Sequence, residues 1–161
     1  LSFDGWDRHE QLKRGARESR KVFMAMRYDD DNLDKIYRDC FQPAVKDTGF
    51  ELKRLDERPR AGLIDDRLRV EIRTSRFLIA DLTYNNLGAY WEAGFAEGLD
   101  KPVIYTCEKT FFDSDEQGPH FDTNHHLTIL WEEDKLEQAA QELKVTIRAT
   151  LPAEAKMEDD L

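Results

Sequence analysis

Short uninterrupted apolar runs alternate along this chain with longer stretches in which apolar residues recur every three or four positions. The runs are 21–26 (KVFMAM), 77–80 (FLIA), 102–107 (PVIYTC) and 127–131 (LTILW), joined by an alternating segment at 50–56 (FELKRLD). Continuous runs of this length suit strands buried on both faces of a sheet; alternation suits a half-exposed strand near a sheet edge. Between them Leu33, Ile36, Tyr37, Cys40, Phe41, Ala44 and Val45 mark one face of a helix. Pro43 falls inside that helix and should kink or restart it, and Gly49 stops it. A shorter helix is predicted over 64–75, with acids at its start where the helix dipole favours them. Trp91, Phe95 and Leu99 mark another after the 77–80 run, and 135–151 carries a last apolar face from Leu136 to Leu151.

Strands alternating with helices predict a parallel sheet with right-handed crossovers. The expected architecture is a flavodoxin-like three-layer α/β/α fold, a five-stranded parallel sheet of order 2-1-3-4-5, with a crevice where strands 1 and 3 part. Arg27-Tyr28 and residues 81–86 lie just past those two strands. Residues 21–151 read as one domain, 1–20 as a linker or N-terminal extension, and 152–161 as an acidic tail expected to fray. The stretch 108–126 is longer than most connections and so a candidate for a functional loop.

Composition narrows the function classes. The formal net charge of −10 speaks against nucleic acid, whose phosphates need a positive face. No apolar run approaches membrane-spanning length and no signal-peptide pattern is present, so no membrane partner is expected. Cys40 and Cys107 lie inside predicted elements without C-x-x-C spacing and read as reduced core residues of a cytoplasmic protein. His120, His125 and His126 share the long loop with Asp122, but nothing elsewhere supplies a spaced partner, so no metal is expected. G-x-G-x-x-G, Walker and G-x-S-x-G motifs are absent, which argues against nucleotide-cofactor redox, P-loop hydrolysis and serine hydrolysis; no cofactor is expected.

The stretch S-R-F-L-I-A-D-L-T-Y-N-N-L-G-A-Y-W-E-A-G-F-A-E-G-L carries the sharpest chemistry. Glu92 stands in the first two turns of a helix that begins at the carboxyl end of a buried strand, where open α/β sheets place ligands. Ala89 and Ala96 leave room beside it; the helix start favours its anion, and the neighbouring aromatics would partly desolvate it. Such a carboxylate is a nucleophile or cation stabiliser for glycosyl transfer, or else a dipole-pairing glutamate on a solvated face. Asp81 binds a ligand hydroxyl or caps the turn. Asn85 and Asn86 donate to a ligand or cap the helix. Arg58 and Arg60 clamp a phosphate or are ordinary loop arginines.

The segment D-L-T-Y-N-N-L-G-A-Y-W-E-A-G-F-A-E-G-L-D-K-P-V-I resembles the signature of nucleoside 2-deoxyribosyltransferases and the related deoxynucleoside monophosphate N-glycosidases. Their G-x-x-x-E-x-G pattern and following K-x-V strand match Gly88, Glu92, Gly94 and Lys101-Pro102-Val103. The layout also resembles TIR-like NAD-cleaving domains. The resemblance spans 21–150 and implies a small-molecule nucleoside or nucleotide as partner and a homo-oligomer, a dimer or larger. It further implies Glu92 as the nucleophile that attacks the anomeric carbon. Asn86 falls where transferases carry an aspartate for the sugar 5′-hydroxyl and monophosphate hydrolases a serine for phosphate; neither is present here, which leaves the 5′ substituent open. Where these enzymes bring a tyrosine or glycine-rich turn near the base, this chain has Met24-Ala25-Met26-Arg27-Tyr28, with Tyr28 as the substitute, and Asp65 or Asp66 corresponds to the aspartate that assists proton transfer to the base.

Overall fold

Phe77–Asp81, buried at every position, is the middle strand (β3) of a five-stranded parallel sheet. The computed structural model describes residues 3–55, 64–114, 118–119 and 127–160. The other strands are β1 (Lys21–Ala25), β2 (Glu51–Lys53), β4 (Val103–Glu108) and β5 (Thr128–Trp131), in the order β2-β1-β3-β4-β5. Every neighbouring pair is parallel, with Val22 beside Phe77 and Asp81 beside Thr106. This is the flavodoxin-like order, and the half-exposed strand β2 lies at an edge, as its alternation predicts.

The helices divide between the two faces. Helices α2 (Asp31–Ile36), α3 (Gln42–Asp47) and α7 (Leu136–Thr150) bury Leu33, Ile36, Ala44, Val45, Leu143 and Ile147 with Met24 and Ile79 of the sheet. On the other face, α4 (Ile64–Thr74) and α5 (Leu87–Glu97) bury Leu68, Ile72, Ala89, Ala93 and Ala96 with Phe23, Leu78 and Ala80. The chain therefore leaves β1 toward one face and β3 toward the other. That divergence makes the crevice at their carboxyl ends.

Pro43 acts as expected, through a defined device. Between α2 and α3 the helix widens into a π-helical turn, Tyr37–Phe41, where Gln42 donates its N–H to Tyr37 O, five residues back. A proline has no N–H for the regular ladder, and the wider turn absorbs that loss without breaking the helix. Gly49 ends the segment in the left-handed region, at φ 83°.

The two ends of the chain are both ordered over their described residues, and the tail differs from expectation. Residues 3–18, read as a linker or extension, form a helix, α1 (Phe3–Glu18), that lies against α4. The tail expected to fray packs back on the domain. Arg76 makes a two-point contact with Glu154 at 2.6 and 2.7 Å, and Lys156 donates its N–H to Thr48 O at 2.9 Å. The buried ammonium of Lys144 supplies the reason: it needs carboxylates, and Asp159 of the tail provides one beside Asp47. After β4 a short helix, α6 (Lys109–Phe112), opens the long loop. Both cysteines are buried free thiols, and burial pushes Cys40 up to about 11 and Cys107 higher still. Among the described residues, no helix is long and apolar enough to cross a membrane.

Candidate active site

The site is built outward from Asp81, the last residue of β3. Its side chain is 1% exposed and its oxygens are taken by protein donors: the Thr83 N–H at 3.1 Å, the Thr106 hydroxyl at 2.7 Å and the Trp131 indole N–H at 2.8 Å. Burial pushes its pKa up, and those three donors oppose the shift. Of the two roles the sequence left open, this geometry is that of the turn anchor. Three donors fill three of its roughly four acceptor sites, and at 1% exposure the carboxylate is enclosed by protein groups.

The anchored backbone then makes an unusual turn. Leu82 still pairs with β4 through Thr106 O, and the Thr83 hydroxyl accepts the Glu108 N–H at 3.0 Å. Tyr84 and Asn85 follow at φ 60° and 49°, both left-handed. Asparagine adopts that conformation readily; a tyrosine does so at a cost of about 1–3 kcal/mol, which the surroundings must sustain. Tyr84 is 42% exposed, with the Arg27 guanidinium 5.4 Å over the face of its ring and Phe111 edge-on at 5.8 Å. Asn86 then caps α5, its Oδ1 accepting the Gly88 N–H at 3.2 Å.

Glu92 sits on the buried face of α5 with Ala89, Ala93 and Ala96, 9% exposed. A β-carbon on Gly88 would stand 3.7 Å from Glu92 Oε1 and 3.3 Å from Asn86 Oδ1. The carboxyl group thus lies back over the first turn of its helix, as helical side chains do, into space that Gly88 keeps open. Among the described residues no hydrogen-bond donor or cation reaches it, and burial pushes its pKa up to about 8. The expected preference for the anion therefore does not hold. Glu92 lies beyond the first turn, where the dipole's influence has faded, and desolvation prevails. Trp91 and Phe95 stack on each other at 5.4 Å and meet Arg69 and Arg73 of α4 at 5.8 and 5.3 Å.

The remaining candidates are distributed unevenly. Arg27 is exposed and Tyr28 half-buried at the end of β1, while Met26 is buried in the core, its sulfur 3.8 Å from Arg54. Asn85 accepts the Tyr90 hydroxyl at 3.3 Å. Asp66 is 88% exposed on α4 and faces Arg69 at 3.5 Å, so the structure does not bring it to Glu92. Arg58, Arg60, the Asp65 side chain, His120, Asp122, His125 and His126 lie outside the described residues. Among the described residues no three His, Cys, Asp or Glu side chains gather as a metal site would require. Sequence reasoning missed Tyr84, whose only signal was an aromatic inside a polar turn, and Trp131, whose distance along the chain from Asp81 hid their contact. A groove of about 260 Å³ along β5, lined by Lys109, Glu132, Lys135 and Gln138, contains none of these residues.

No family model matches the sequence, and neither does any curated protein. Among solved structures the chain is similar to a 2-deoxyribosyltransferase from the psychrotolerant bacterium Bacillus psychrosaccharolyticus, described as a biocatalyst for the synthesis of antiviral and antitumoral nucleosides. The two share 15% identity over 84% of this chain and 98% of that one, with a TM-score of 0.56. The likeness shows a common fold.

Proposed function

We propose that this domain cleaves or transfers the N-glycosidic bond of a nucleoside, nucleotide or NAD-like compound, with Glu92 as nucleophile. One observation carries the reading: a buried carboxyl group without a partner among the described residues, on the helix that leaves the central strand's carboxyl end. The fold shared with a 2-deoxyribosyltransferase supports it. A carboxylate oxygen of Glu92 attacks the anomeric carbon as the C–N bond breaks. The bonding pair leaves with the base, which takes up a proton, and water or a second base then displaces the glutamyl ester. With a pKa of about 8, about a tenth of Glu92 is ionised at pH 7 in the free protein. Positive charge developing on the sugar favours the ionised form as the reaction proceeds. Asn86, its Oδ1 committed to the cap, retains an amide NH₂ to donate to sugar or phosphate. Asp81 holds the turn and takes no part in the bond changes. The active form is expected to be a homo-oligomer, a dimer or larger, which light scattering would measure.

The test is a substrate screen. NAD, deoxynucleosides and their monophosphates are incubated with wild type and with Glu92→Gln, and free base is separated by chromatography. Base release by wild type alone supports the reading; equal release by the variant sinks it. A second reading, a non-catalytic TIR-like module that senses a nucleotide for an attached domain, draws on the raised pKa of Glu92 and the enclosure of Asp81 by protein donors. Calorimetric binding without base release would select it.

A further inference from the structure

We propose that Tyr84 and Arg27 form a specificity clamp across the crevice between β1 and β3, Tyr84 stacking on the base and Arg27 pairing with the phosphate of a nucleoside 5′-monophosphate. The inference rests on the preceding reading of the site and names its substrate class.

Three observations carry it. First, the position is distinctive: Arg27 follows β1 and Tyr84 follows β3, adjacent strands whose chains depart to opposite faces of the sheet. Their contact at 5.4 Å therefore bridges the two sides of the crevice. Second, the Tyr84 backbone is held in a conformation that disfavours a bulky side chain, yet the residue remains 42% exposed instead of filling the core. Core packing does not explain this strain, and strained residues collect at ligand sites. Third, Arg27 has no carboxylate partner among the described residues, although Asp30 and Glu108 lie close enough to act on Tyr84. Those two carboxylates are already engaged as helix caps, Asp30 accepting the Asn32 and Leu33 N–H groups and Glu108 that of Phe111. The guanidinium is left on an aromatic face, which an incoming planar base can share or take over. Once displaced it presents a planar fork of donors suited to two phosphate oxygens. The same turn leads within two residues to the Asn86 cap and so sets the base and sugar against Glu92.

The experiment uses the full chain carrying Glu92→Gln, so that no ligand turns over. Calorimetry at one salt concentration compares adenosine, guanosine, cytidine and thymidine with their 5′-monophosphates. Tyr84→Asn removes the ring but retains a residue that tolerates the left-handed backbone. It should weaken nucleoside and monophosphate alike, by roughly 5- to 100-fold. Arg27→Met keeps the aliphatic stem and removes the charge. It should weaken the monophosphate by about 10-fold or more and leave the nucleoside within about 2-fold. Circular dichroism melting checks that both variants fold. Unchanged binding in Tyr84→Asn, or equal losses for both ligand classes in Arg27→Met, overturns the clamp while leaving the reading of Glu92 intact. If the parent binds none of these compounds, the clamp and the nucleotide reading fall together.

Discussion

Trp131 donates its indole N–H to Asp81 at 2.8 Å, linking the carboxyl end of the edge strand β5 to that of the central strand β3, two strands away. The Thr106 hydroxyl on the intervening strand donates to the same carboxylate oxygen. Three strands are thereby tied at the point where the chain turns toward Glu92.

Removing that tie should cost stability first. Asp81→Ala leaves a buried indole N–H and a buried hydroxyl without an acceptor, and should lower unfolding free energy by about 2–4 kcal/mol. Trp131→Phe should cost about 1–3 kcal/mol, and the double variant less than the sum of the two, because they share one interaction. Urea unfolding measures all three. Strictly additive losses would show that the contact carries no coupling.

Glu92 sets a pH signature on folding. Unfolded it titrates near 4.5 and folded near 8, so between those values the folded protein keeps a proton that the unfolded chain has released. Stability is therefore retained below about pH 4.5 and falls as pH rises toward about 8, by at most about 1.4 kcal/mol per pH unit from this group. Glu92→Gln, neutral throughout, should melt several degrees above wild type at pH 8 and level with it near pH 4.5. A constant difference across that range would contradict the raised pKa.

The same titration should appear in the rate. If ionised Glu92 is the nucleophile, kcat/KM for base release rises with pH and levels off above about 8. A limb falling above pH 8 would instead make Glu92 the proton donor.

Gly88 guards space rather than flexibility, for it lies inside α5 with ordinary helical geometry. Gly88→Ala should leave stability unchanged or raise it by about 0.5–1 kcal/mol, since alanine suits a helix better. Its methyl group would crowd the Asn86 cap oxygen at 3.3 Å and fill the space beside Glu92 Oε1, touching it at 3.7 Å, so base release should fall by about 10-fold or more, measured beside a melting curve. Full activity would show that the carboxyl group does not need that room.

The fold was readable because its signals are local. Uninterrupted runs such as 77–80 and helical repeats such as Leu33 to Val45 fix the element type, and strict alternation placed β2 at an edge. Glu92 stood out for the same reason, as one acid among alanines on a helix after a buried strand. What stayed hidden depends on pairing across distance. Asp81 stayed open between ligand contact and turn cap because Trp131, 50 residues on, is invisible from its surroundings. The charge state of Glu92 followed from desolvation, which sequence spacing does not measure. The tail looked disordered from its acidity, and only the buried Lys144 gives that acidity a use. Tyr84 was passed over because side-chain type says nothing of a left-handed backbone.

The tail has one more consequence, for connectivity. Arg20, just before β1, donates to Glu154 O, and Arg76, just before β3, grips the Glu154 side chain. Entry into the sheet and exit from α7 are thus fastened together beneath it, while Tyr84, Asn86 and Glu92 lie at the opposite pole. The clasp closes the amino-terminal edge of the sheet and leaves the crevice at its carboxyl edge out of its hydrogen bonding.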